Sequence, residues 1–168
     1  MTNPTTFGLA RWTPAGYNSA VTAELKLSLL DCDRSDPLAD FFDAHAAIEC
    51  RGAMLETTFV VAGRDLEVFA TDLGRVPRAG DASALLLGGW ETERNLRLQV
   101  TRDAPSGAGV VRVSMMSEDQ ESDIPRRMKT EFIVPFASLS KFSMDIQQLV
   151  ERRIAGDATL TGEADGNE

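Results

Sequence analysis

Two stretches of this chain write the same phrase: "FVVAGRDLEVFATDL" from Phe59 to Leu73 and "FIVPFASLSKFSMDI" from Phe132 to Ile146. In register they share Phe, Val, Leu, Phe and Asp, and close on Leu or Ile, at a constant offset of 73 residues (132 against 59, 145 against 72). Each copy reads as a strand ending in Phe-x-Val, a short turn with a capping residue (Asp65, Ser138), and a helix. Leu and Phe at i and i+3, with Leu/Ile at i+7, give that helix one apolar stripe to lay on a sheet. Convergence of two strand–helix units and an internal pseudo-repeat both account for the match. The reading predicts Phe69 and Phe142 buried at equivalent places, with Asp72 and Asp145 on the solvated helix flanks.

Working outward, "VTAELKLSLL" alternates Val21, Ala23, Leu25, Leu27 and Leu29 against polar residues, the period of a half-buried strand. Asp36-Pro37 is a helix-start signal, and Leu38, Phe41, Phe42 and His45 keep helical spacing, so a short helical turn is expected near 37–43. A hairpin should follow, with Arg51-Gly52 turning the chain into Met54–Val61. Gly74 and Pro77 stop the first helix. From Ala84 to Met116 the pattern becomes a meander, with Leu96, Leu98 and Val100, then Val111, Val113 and Met115, in alternation. "MKTEFIV" is a further strand. Leu139, Phe142, Ile146, Leu149 and Val150 then stripe the last helix. The expected architecture is α+β: a mostly antiparallel sheet of about five to seven strands with two amphipathic helices on one face. Residues 1–20 read as an extended lead-in, 21–155 as a single domain and 156–168 as a disordered acidic tail.

The 168 residues suffice for one domain with its own core. No apolar run approaches the roughly 18–20 residues needed to span a bilayer. The first residues show neither a basic nor an apolar signal region. Cys32 and Cys50, with no CxxC spacing, suit a reducing compartment. A cytoplasmic protein is expected. The net charge of −9 argues against nucleic-acid binding, which needs a basic footprint; Arg126, Arg127 and Lys129 form the densest basic patch. An acidic surface steers encounter with a basic protein partner, and it also keeps a protein soluble; composition does not choose between the two.

Catalytic signals are sparse. His45 is the sole histidine and sits between alanines, as a surface or half-buried structural residue would. One His and two isolated Cys do not make a metal site, and no cofactor is expected. Glu91 and Glu93, beside Trp90, would share one strand face, either solvated or, in a cleft, fit for acid–base work. Asp119, Glu121 and Asp123 lie in a charged loop without calcium-loop order. Gly88-Gly89 precedes no helix and reads as a bulge or tight bend. Trp12, Tyr17 and Trp90 are the aromatic candidates, Trp90 being either a core-edge residue or a partner anchor.

From Ala44 to Val150 the order of a hairpin, "FVVAGRDLEVFATDL", "LLLGGWETERNLRLQV", "GAGVVRVSM" and "FIVPFASLSKFSMDIQQL" resembles the WapI-like immunity proteins and related bacterial families. The resemblance implies a non-enzymatic inhibitor that blocks a secreted toxin domain, its acidic surface meeting the toxin's basic face. Trp90, Glu91, Glu93, Asp119, Glu121 and Asp123 are then the candidate partner-binding residues. Two other functions fit the composition: a small acidic chaperone or adaptor, and a small enzyme using Glu91, Glu93 or Asp103 in a sheet cleft.

Overall fold

The computed structural model describes residues 21–32, 40–90, 93–103, 107–117 and 124–164. Three strands come first: β1 (Val21–Cys32), β2 (Phe41–Cys50) and β3 (Ala53–Ala62). Helix α1 (Gly63–Arg75) leads into β4 (Ser83–Trp90), β5 (Glu93–Asp103), β6 (Ala108–Ser117) and β7 (Arg126–Pro135). Helix α2 (Phe136–Arg152) and β8 (Gly156–Ala164) follow. The strands form one sheet in the order β3-β2-β1-β8-β7-β6-β5-β4, every pairing antiparallel. Alternation sets the inner face: Leu25, Leu27 and Leu29 of β1 and Leu96, Leu98 and Val100 of β5 are buried, and their neighbours look outward.

The repeated phrase marks a duplication of the whole fold. Strand β7 starts 73 residues after β3, and α2 starts 73 residues after α1. Strands β4 and β8 carry a second repeat: Ala84-x-Leu86-x-Gly88 and Ala158-x-Leu160-x-Gly162, all inward. Their partners correspond too. Leu27, Leu25 and Ala23 of β1 face Ala158, Leu160 and Gly162, as Val100, Leu98 and Leu96 of β5 face Ala84, Leu86 and Gly88. Replacing β1–β4 by β5–β8, and the reverse, turns the half-sheet β3-β2-β1-β8 into β7-β6-β5-β4. Each unit is thus three strands, a helix and a last strand given to the other unit's half-sheet.

The helices cross on the pseudo-two-fold. The Ser143 hydroxyl donates to the Ala70 carbonyl at 2.7 Å, and those positions are 73 residues apart. Phe69 and Phe142 are both fully buried, as the repeat predicts, in one core with both sheet halves. Asp72 and Asp145 are half-buried on the helix flanks, each paired within its helix, to Arg75 at 3.5 Å and Lys141 at 2.5 Å. The sheet curls so far that β3 packs on β5 and β6 across the interior and lies beside β4.

Four expectations are corrected. The sheet has eight strands rather than five to seven. Residues 41–43, expected in a helical turn, belong to strand β2, because Phe42, Ala44, Ala46, Ile48 and Cys50 form one buried row; residues 37–39 lie outside the described residues. Gly156–Ala164, expected in the tail, is β8, held between β1 and β7. Asp65 and Ser138 do not cap: each helix starts earlier, after Ala62 and Pro135 in extended conformation, with no side-chain cap. Asp65 instead sits in the first turn of α1, where a carboxylate favours the helix dipole.

Candidate protein-interaction site

The duplication creates two equivalent seams, β3 beside β4 and β7 beside β8. One register pair, Ile133 with Glu163, joins β7 to β8. At the other seam β3 and β4 end the strand order without a ladder between them. A glycine admits a phenylalanine at each: a Cβ on Gly88 would strike the Phe59 ring, and one on Gly162 the Phe132 ring and the Ile133 carbonyl. A register shift follows between Gly88 and Gly89, where Gly89 takes φ 95°, the bulge expected of that pair.

The bulge delivers Trp90 to the surface. Its side chain is 64% exposed, and its ring lies 6.3 Å from that of Phe41, tilted by 42°. Phe41, at the start of β2, is itself 39% exposed. Beside the pair is a cleft of about 470 Å³ lined by Leu30, Asp43, Val60, Gly89, Trp90 and Asn95 among others. Leu30 is half exposed at its rim. An apolar aromatic cluster in water at an unladdered seam is the kind of surface a protein partner covers.

Along β2 the cleft runs into an acidic face. Asp43 and Glu49 point outward with Glu24 of β1 and Glu56 of β3, as the register requires. Half-buried His45 places Nε2 3.3 Å from Glu56. Asp157 of β8 sits 2.9 Å from the Lys26 ammonium. The hydrogen bond from Lys26, joined by one from Ser28, holds Asp157 below the usual carboxylate range.

The equivalent seam is charged rather than aromatic. Its groove, about 540 Å³, is lined by Arg51, Asp103, Arg112, Lys129, Glu131 and Glu163 among others. It continues into a groove of about 610 Å³ on the outer face of β5, β6 and β7, where Arg97, Gln99, Arg112, Ser114 and Lys129 converge. The acidity of the chain is therefore not spread evenly: the outer face of the second half is basic.

Of the sequence candidates, Trp90 is placed at a site. Glu91, Asp119, Glu121 and Asp123 lie outside the described residues, as do Trp12 and Tyr17. The expected shared strand face of Glu91 and Glu93 falls on Glu91 and so lies outside the described residues; Glu93 opens β5 as the register partner of Trp90. Asp103 lines the charged groove. Phe41 and Asp43 carry a signal in the sequence, their alternation with buried Phe42 and Ala44, and Leu30 stands next to buried Leu29 in the alternation of β1. Among the described residues no three His, Cys, Asp or Glu side chains gather as a metal site, and no helix is long and apolar enough to cross a membrane. No family model, curated protein or solved structure matches the chain.

Proposed function

We propose that this protein is a non-enzymatic binding module that takes a basic protein partner at the Trp90–Phe41 cleft and the acidic face beside it. The observation that carries the reading is Trp90 itself: a large aromatic, 64% exposed, its ring tilted against a second exposed aromatic, beside outward carboxylates. Burying the indole supplies the affinity, and Asp43 with its acidic neighbours supplies steering and choice of partner. A toxin domain with a basic substrate-binding face, as the WapI-like resemblance implies, has the matching chemistry.

The test is co-expression with any toxin domain encoded beside this chain's gene, scored by protection of the cell and by calorimetric titration. Trp90→Ala should weaken binding by at least about 2 kcal/mol, roughly 30-fold, while the melting temperature stays close to that of the parent. Neutralising Asp43 should mainly slow association and flatten its salt dependence. Absence of binding and protection, or full-strength binding by the Trp90→Ala variant, would overturn the reading.

A further inference from the structure

The duplication allows the two outer faces to be compared position by position, and at two pairs of positions the charge is reversed. Glu24 in β1 corresponds to Arg97 in β5, and Glu56 in β3 to Lys129 in β7, each pair 73 residues apart. All four side chains are exposed and point away from the core. Some charges on each face already have a partner: Lys26 has Asp157 at 2.9 Å, Glu56 has His45 Nε2 at 3.3 Å, and Arg112 has Glu131 at 2.6 Å and Thr101 at 3.2 Å. Arg97 and Lys129 have no ion-pair partner among the described residues, nor do Glu24 and Glu49. Each face is thus left with unspent charge, of opposite sign.

We propose that the basic face of β5, β6 and β7 docks on the acidic face of β1, β2 and β3 of a second copy of this chain. Arg97 and Lys129 stand in one row across Ser114, about 10 Å apart at two strand spacings. Glu24 and Glu56 stand on the same pair of outer strands of the other half-sheet, staggered along the strands by two residues because Glu24 pairs with Glu49 and Glu56 with Ala47. Long Arg and Lys stems absorb that stagger. With the two-residue stagger taken up by the side chains, one face laid on the other sets each carboxylate against a cation. The inner faces of both half-sheets enclose the core, so the outer faces look away from it on different sides. The contact is therefore head-to-tail and does not close a dimer. A three-strand face falls short of the about 800 Å² per partner of a standard interface, which makes the association weak and reversible. The chain's net charge of −9 opposes it at very low salt. At about 0.1 M, where the screening length is near 10 Å, whole-molecule repulsion fades while contact pairs persist.

The contact shares its acidic face with the proposed partner site but not the Trp90 cleft, which lies at the other end of β2 from Glu49. Sedimentation velocity over a concentration series up to about 1 mM, at about 0.1 M and about 1 M salt, tests it. The protein should show concentration-dependent association at the lower salt that is lost at the higher. Glu24→Lys/Glu56→Lys and Arg97→Glu/Lys129→Glu, each alone, should lower the association constant about tenfold or more. Mixing the two should restore it, since the unaltered basic face of the first meets the unaltered acidic face of the second, and the two reversed faces also attract. That restoration also shows both variants are folded, and the milder Gln substitutions at the same positions serve if either is not. Trp90→Ala should leave self-association unchanged, which separates this contact from the partner site. A monomer at every concentration, association insensitive to both reversals, or a mixture that stays monomeric would overturn the proposal. Capture of a poly-glutamate peptide by Arg97 and Lys129 without self-association would also overturn it, naming an acidic chain as the occupant instead.

Discussion

The two halves of this molecule agree inside and disagree outside. Phe59 and Phe132, Leu66 and Leu139, Phe69 and Phe142, and the two Ala-x-Leu-x-Gly strands occupy equivalent places in one core. At the surface Glu24 stands where Arg97 does, and Glu56 where Lys129 does. The seams differ in the same way, one aromatic around Trp90 and the other charged around Glu163. Packing explains the contrast. A core position must fit its neighbours to within a methyl group, whereas an exposed strand position tolerates either sign of charge at little cost to stability. A duplicated scaffold therefore preserves its interior and is free to specialise its two faces.

The sharpest way to break the comparison is through the paired phenylalanines. Phe69→Ala and Phe142→Ala should each lower unfolding free energy by about 3–5 kcal/mol in urea denaturation, with similar values for the two. If one costs less than about 1 kcal/mol, the halves are not equivalent inside.

The glycine seams come next, and here the halves should separate. A methyl at Gly162 meets the Phe132 ring, Val134 and the backbone carbonyl of Ile133, which cannot move without dragging the β7–β8 bridge. A methyl at Gly88 meets the Phe59 ring first, at a seam with no ladder to hold it. Gly162→Ala should cost about 3 kcal/mol and Gly88→Ala about 1 kcal/mol, measured in the same way. Equal costs would mean that the β3–β4 seam is as rigid as its mate.

How much of this was legible follows from the same contrast. The strand–helix phrase was readable because its large apolar residues carry both the helical period and the match between copies. β8 was missed because its inward residues are Ala158, Leu160, Gly162 and Ala164, too small to stand out against Asp157, Thr159, Thr161 and Glu163. Its echo of Ala84-x-Leu86-x-Gly88 was the available clue. The start of β2 is hard to read because Leu38, Phe41, Phe42 and His45 satisfy a helical spacing by coincidence, while the row that decides it, Phe42 to Cys50, has alanine at two of its five places. Trp90 could be named but not placed, since its exposure depends on a bulge whose only trace is two adjacent glycines. The charge reversal lay within the 73-residue offset, which joins Glu24 to Arg97 and Glu56 to Lys129, but only the register shows that all four side chains look outward.

The helix crossing gives a smaller effect. Ser143→Ala removes the hydroxyl donated to Ala70 and should cost about 1 kcal/mol. Ala70 has no hydroxyl to return the bond, so the crossing is asymmetric at the axis itself.

The smallest effect lies at Lys26 and Asp157, and it isolates one half from the other. Counting 73 residues on from Lys26 gives Gln99, and the β4 position matching Asp157 is Ser83, so the second half has no such ion pair. The pair is half exposed, which limits its worth to a few tenths of a kcal/mol at neutral pH. Lys26 and Ser28 lower the folded-state pKa of Asp157 beneath its unfolded value of about 3.9, so the contribution is complete above that pH and lost as pH falls through the folded value. The difference in unfolding free energy between the parent and Asp157→Asn should accordingly be constant from neutral pH to about 5 and shrink towards zero in acid. Introducing Lys at Gln99 and Asp at Ser83 should build a second such step in the other half. A deficit in Asp157→Asn that persists in acid would assign the contribution to hydrogen-bond geometry rather than charge, and the engineered pair would then add no pH dependence.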